Sequence, residues 1–125
     1  MNTFLMYTTV FLLGGDIYCL IELLYRSRTH YSMFFCAGLA LLFLFVIYRE
    51  NREVSPLLFA LAAAIIITLL EFVFGIIFNI FLGMNVWDYS NVPLNIMGQI
   101  CLPFSLIWFA FGLVIYFIFR ILRLS

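Results

Sequence analysis

Apolar residues in this chain run on continuously, in four long blocks separated by short polar stretches. A strand half in water would alternate; runs of about 18 or more apolar residues read instead as helices crossing a bilayer. The pattern predicts helices over about 4–25, 31–48, 56–82 and 99–122, an all-α integral membrane fold treated as one transmembrane domain over 1–125. Local signals mark the ends. Asn2 or Thr3 can cap the first helix, Ser55-Pro56 supplies a capping hydroxyl followed by Pro at the first helical position, and Gly83 is a suitable left-handed stop. The stretch from Arg49 to Val54 is polar and belongs in water, as does the turn from Arg26 to His30. At 1.5 Å per residue, the third helix is about 40 Å long against a hydrocarbon core of about 30 Å, so it must tilt or protrude.

Within the third block, Ala60, Ala64, Thr68, Glu71, Gly75 and Asn79 recur three or four residues apart and so share one face. A stripe of small and polar residues marks the protein-facing side of a membrane helix. Cys101, Ser105, Trp108, Gly112 and Tyr116 form a similar stripe in the fourth block, with Pro103 in its first turns. In the first block Gly15, Tyr18, Glu22 and Arg26 share a face, and Glu22 with Arg26 is a favourably ordered i, i+4 pair. The second block has no ionisable residue after its first turn; its small residues Cys36, Ala37, Gly38 and Ala40 can admit another backbone. Residues 84–98 are too polar for the bilayer centre. Trp87 and Tyr89 suit the headgroup belt, Asp88, Ser90, Asn91 and Asn95 suit turns, and Pro93 blocks a helix. The expectation is a polar loop on the rim that can fold back as a re-entrant segment.

Composition removes the soluble alternatives. At 67% apolar and 10% charged residues, no aqueous core could hide the apolar surface. Six Arg, six Asp or Glu and no Lys leave no net charge and no basic stripe for nucleic acid. A single His and three widely spaced Cys give no metal pattern and no disulfide framework, and no cofactor is called for. The N-terminal block lacks a basic leader and a cleavage signal and reads as a retained helix. Four spans put both termini on one side. Arg49, Arg52, Arg120 and Arg123 lie there, against Arg26 and Arg28 opposite, so the positive-inside rule favours cytoplasmic termini.

An acid at the centre of a membrane helix costs roughly 2.5–3.5 kcal/mol on insertion scales, so Asp16, Glu22 and Glu71 must pair, take up a proton or face water. By rise per residue, Glu71 lies about 3 Å from the midplane, Glu22 about 11 Å and Asn79 about 15 Å, all toward the same side. Glu22, Arg26, Glu71, Asn79, Asp88, Asn95 and Gln99 therefore fall in one leaflet, as a vestibule open to one face. Glu71, Asn79, Asp88, Asn95, Gln99 and Glu22 are the candidate solute-binding residues. Gly75, Trp87, Tyr89, Ser90, Arg26, Ser105 and Trp108 are structural or gating candidates. Each has a plainer reading: Glu71 with Asn79 as interhelical glue, Glu22 with Arg26 as a rim pair, Asp88 as a turn former, and Trp108 with the Phe residues as packing.

The run Asn85-Val-Trp-Asp-Tyr-Ser90, then Pro93-Leu-Asn95, Gly98-Gln-Ile-Cys-Leu-Pro103, Ser105 and Trp108, resembles the signature of the putative ABC-transporter type IV family. Glu71, Gly75 and Asn79 fit the same pattern, and Gly15, Tyr18 and Glu22 fit it more loosely. The resemblance implies a small multi-pass protein of the bacterial inner membrane, permease-like rather than enzymatic, in contact with lipid. Any ATPase must be a separate subunit, since the chain lacks a phosphate-binding G-x-x-x-x-G-K-[ST] loop. Four spans are few for a path across the membrane, which favours a homo-oligomer. The function expected is a transporter subunit for a small polar or cationic solute. The alternative is a structural or regulatory subunit in which the same groups only lock helices. An intramembrane enzyme acting on lipid is the third class, but no motif makes it specific.

Overall fold

The computed structural model describes residues 2–27 and 29–122, apart from the Arg26 side chain. The expected Glu22–Arg26 pair, and the contributions of Arg28 and Arg123 to the charge bias, lie outside the described residues. Four helices are long and apolar enough to cross a membrane: α1 (Thr3–Arg26), α2 (Tyr31–Glu50), α3 (Pro56–Phe74), extended to Phe81 by a wider turn, and α4 (Leu102–Ile121). The chain forms two compact units, one ending at Val46 and the other starting at Ile47.

In the first unit, the Asn2 carboxamide oxygen accepts from the Phe4 and Leu5 amides (2.7 and 3.2 Å), as a capping residue should. The helix ends at Ser27, in a left-handed conformation with its amide on Leu23 O at 3.1 Å. The small residues of α2 do admit a neighbour. A Cβ on Gly38 would lie 2.8 Å from the Phe11 carbonyl, and one on Gly14 would lie 2.8 Å from Leu41 Cβ, so the α1 and α2 backbones approach where neither carries a side chain. Phe11 stands edge-on to Phe34 across that contact.

In the second unit, Ser55 Oγ accepts from the Leu58 amide (3.2 Å) and Pro56 takes the first turn of α3. Most of the small stripe of α3 is turned to α4, but Ala63 and not the expected Ala64 lies at the contact, and Ala64 is only half-buried. Ala60 and Ala63 are fully buried, and a Cβ on Gly112 would meet Ala63 Cβ at 2.6 Å. Beyond this contact Phe59, Tyr116, Phe119 and Tyr48 of α2 form an aromatic cluster, with ring centroids 5.4–6.4 Å apart. The Tyr116 hydroxyl donates to Val54 O and accepts from Arg120, both at 2.9 Å, which ties the 51–55 loop to α4.

The upper end of this unit departs from the sequence reading. From Gly75 to Phe81 the helix widens to π geometry. The Leu82 amide bonds Ile77 O five residues back (3.0 Å), the Met84 amide bonds Phe78 O six back (2.8 Å), and Gly83 then turns the chain with φ 65°. The fourth helix starts at Leu102, not at Gly98 or Gln99. Those residues belong to a small antiparallel hairpin of β1 (Asn95–Ile96) and β2 (Ile100–Cys101), with Asn95 opposite Cys101 and Ile96 opposite Ile100. Met97 and Gly98 at its turn both have positive φ, which no helix can include.

Candidate functional site

Glu71 sits on the protein-facing stripe of α3 and is 4% exposed. Its two carboxylate oxygens have different donors. The Trp108 indole N–H of α4 donates to Oε1 at 2.9 Å, and the Tyr89 hydroxyl of the loop donates to Oε2 at 2.9 Å. The Tyr89 ring lies flat on Phe104 (4.8 Å, 14°), which packs in turn near Trp108 at 6.2 Å. One acid thus joins α3, α4 and the loop. Three residues earlier, the Thr68 and Ser105 hydroxyls bond across the same interface at 2.8 Å.

A second junction lies about two turns further along. Asn79, in the widened segment, offers its Oδ1 to the amides of Val86 (2.6 Å) and Trp87 (3.4 Å), and donates from Nδ2 to Gln99 Oε1 (2.8 Å). Gln99 donates to Met97 O (2.9 Å), and its own carbonyl accepts from the Trp87 indole (2.9 Å). Gln99 comes this close because Gly75 has no side chain: a Cβ there would stand 2.6 Å from Gln99 Oε1 and 2.9 Å from Gln99 Cβ. The Trp87 and Tyr89 side chains turn inward, onto the hairpin and α3. Trp87 is buried, and the ring N–H and the hydroxyl are spent on Gln99 and Glu71.

The remaining loop residues shape the loop itself. Asp88 Oδ1 accepts from both the Ser90 amide (2.9 Å) and the Ser90 hydroxyl, and this turn rests against Gly98, where a Cβ would fall 2.8 Å from Ser90 Oγ. Asn95 bonds Val92 O (2.9 Å) and Ser90 O (3.3 Å) and accepts from the Gly98 amide (3.1 Å). In the first unit, Glu22 is 5% exposed and accepts from the Thr29 hydroxyl at 2.7 Å, while Asp16 is exposed on α1. Among the described residues no buried side-chain nitrogen or oxygen lacks a partner, and no cluster of His, Cys, Asp and Glu could hold a metal ion.

The structure thus groups Glu71, Tyr89 and Trp108, joins Asn79, Gln99, Trp87 and Gly75, and pairs Asp88 with Ser90. Two partners escaped the sequence reading: Trp108 and Tyr89 as donors to Glu71. The usable signal was chemical. A carboxylate inside a membrane helix needs donors, and indole and phenol are the apolar side chains that carry one.

Asp88 is exposed, and the Ser90 hydroxyl and then the Ser90 amide hold its carboxyl below the usual carboxylate range. A lowered value means that the turn is favoured above the ordinary carboxyl pKa, about 3.9, and loses that support as pH falls through the lower value of the folded state. The Ser90 amide resonance should stay in place on acidification past about pH 4 and move only below it. Ser90→Ala should bring the transition back up toward the ordinary range.

The family described as "Putative ABC-transporter type IV" matches residues 3–124, and the chain belongs to it. With four apolar helices, this makes it a multi-pass membrane protein of a transporter-like family rather than a member of an enzyme family. No curated protein and no solved structure matches the chain.

Proposed function

We propose that the protein is a permease-like subunit for a small cationic solute, with Glu71 as its recognition group and the Trp87–Ser90 turn as a lid over it. The observation behind this reading is the Glu71 carboxylate. It is buried between apolar helices, one of its two donors belongs to the loop, and both donors, Tyr89 and Trp108, are aromatic and pack on Phe104. The carboxylate supplies charge, and Tyr89 and Trp108, which bond it by their ring edges in the closed state, can turn their faces to an organic cation once the lid lifts. When the lid lifts, the Tyr89 hydroxyl leaves Oε2, and Asn79 and Gln99, bonded to each other beneath the closed lid, turn to orient the solute. Asp88, Ser90 and Asn95 keep the lid in shape. The setting of this proposal is a bacterial inner membrane with the termini in the cytoplasm, several copies of the chain around one path, and a separate ATPase as partner.

Binding of radiolabelled tetramethylammonium and guanidinium to the full chain in proteoliposomes tests it. Saturable binding that Glu71→Gln abolishes, with the variant still folded, is the expected result. Glutamine can accept from Trp108 and donate to Tyr89, so the variant removes the charge and keeps the geometry. No binding of either probe, or equal binding by the variant, would leave the second reading. In that reading the protein is a structural or regulatory subunit whose polar groups only lock its helices, and the complete pairing of buried polar atoms among the described residues favours it.

A further inference from the structure

The hairpin tip carries a feature that neither the site nor the lid explains. Leu94 and Met97 adopt left-handed backbone conformations (φ 57° and 55°), where a side chain other than that of glycine is strained. Strain of this kind persists when the surroundings fix it. Here Asn95 does so, by bonding Val92 O, Ser90 O and the Gly98 amide. The backbone is also held inside the unit, where Leu94 O accepts from the Leu102 amide (3.3 Å) and Met97 O from Gln99 (2.9 Å), but the side chains are not. Leu94, Ile96 and Met97 are 69%, 56% and 60% exposed, three apolar side chains in a row along the outer edge of a loop.

The depth of the hairpin supplies the missing solvent. The membrane-spanning part of α3 and its extension covers 26 residues, and α4 covers 20. Gln99, three residues before α4, packs on Gly75, six residues before the extension ends at Phe81. The hairpin therefore lies alongside the last turns of the third span, not above them. Those turns are apolar on the outside as well: Ile77, Phe81 and Leu82 are exposed there, as are Leu102 and Leu106 at the start of α4. The exposed edge of the hairpin meets that surface at Leu94, whose carbonyl accepts from the amide of exposed Leu102 at 3.3 Å. The exposed polar residues Asn85, Asp88, Ser90 and Asn91 precede it in the loop.

From this juxtaposition we infer that Leu94, Ile96 and Met97 form a lipid-immersed edge, so that the loop enters the acyl region by its hairpin tip while its Asp88–Asn91 turn stays among the headgroups. The occupant is lipid, because the edge joins the exposed apolar start of α4 at Leu94–Leu102, lies alongside the exposed apolar end of the third span, and presents three wholly apolar side chains. The Asn95 bonds hold the turn, and acyl chains solvate the side chains it turns outward, as they do the apolar face of an interfacial helix.

The test is depth-dependent quenching in phosphatidylethanolamine–phosphatidylglycerol vesicles. In the full chain with Cys19, Cys36 and Cys101 replaced by alanine, single bimane-labelled cysteines are placed at Ile96, Met97 and, as an aqueous reference, Asn91. Labels at 96 and 97 should be quenched by nitroxide carried near the top of the acyl chain at least about threefold more than the label at 91, with the order reversed for iodide. Iodide quenching at 97 equal to that at 91 would overturn the inference. So would shielding from both quenchers, which would mean that a second copy or another protein covers the edge. The unaltered chain gives a second reading through its methionine methyl resonances. The Met97 signal, identified by Met97→Ile, should broaden with lipid-borne nitroxide and not with a soluble gadolinium chelate; the opposite result overturns the proposal.

Discussion

Glu71→Ala is expected to lower the stability of the protein in detergent or lipid by about 2–3 kcal/mol, while Glu71→Gln should cost less than about 1 kcal/mol. Alanine leaves the Trp108 indole N–H and the Tyr89 hydroxyl without their acceptor, and a buried unsatisfied donor costs about 1–3 kcal/mol. Two effects hold the total down. Removing the acid also removes the cost of burying it, and donors within a membrane find substitute partners when helices separate. Glutamine keeps both bonds, because its oxygen can face Trp108 and its amide nitrogen can face the Tyr89 oxygen. Against a total stability of about 5–15 kcal/mol, the alanine loss is easily read by denaturant titration of helix content. A glutamine variant as unstable as alanine would show that the negative charge, and not the shape of the bonding, holds the loop to the helices.

The second large effect is expected at Gly112. A Cβ there meets Ala63 Cβ at 2.6 Å and Ala60 Cα at 3.1 Å, and both belong to a helix that cannot yield locally. Gly112→Ala gains about 1 kcal/mol of helix propensity and loses about 1–3 kcal/mol to overpacking, so a modest net loss is expected. Gly112→Leu adds three more carbons where there is no room for the first. It should exceed the upper end of that overpacking range and separate α3 from α4. Ala63→Gly, which removes the nearest atom, should restore part of the stability of Gly112→Ala. Coupling of this kind between touching residues is what a double-mutant cycle measures. Additivity of the two changes would mean that the helices slide rather than clash.

These two sites also mark how far the sequence could be read. The stripe of Ala60, Thr68, Glu71 and Gly75 was visible as a period, and so was the row of Trp108, Gly112 and Tyr116, because bilayer and helix pitch leave little freedom in how such residues lie. Ser55-Pro56 and Gly83 were legible for local reasons of capping and turn geometry. The hairpin was not. Its strands are two residues long, and its turn puts Met97 at positive φ, where side-chain preference argues against the conformation found. Nor did spacing say that Tyr89 reaches Glu71, since that contact depends on the loop folding back along α3. The motif from Asn85 to Trp108 pointed to the family whose model matches residues 3–124, but its internal bonding became readable only with coordinates.

The widened turn from Gly75 to Phe81 has a mechanical consequence. A π segment fits more residues into each turn than an α-helix does, so this part of the third span contains slack. Rewinding it to ordinary pitch would turn its residues progressively relative to Glu71, reaching about one residue, a rotation of about 100° around the axis, at its far end. Asn79 would swing off the Val86 and Trp87 amides, while Glu71, below the slack, would not move. The two fastenings of the loop thus stand on different footings: one on a rigid shaft, the other on a collar that can turn.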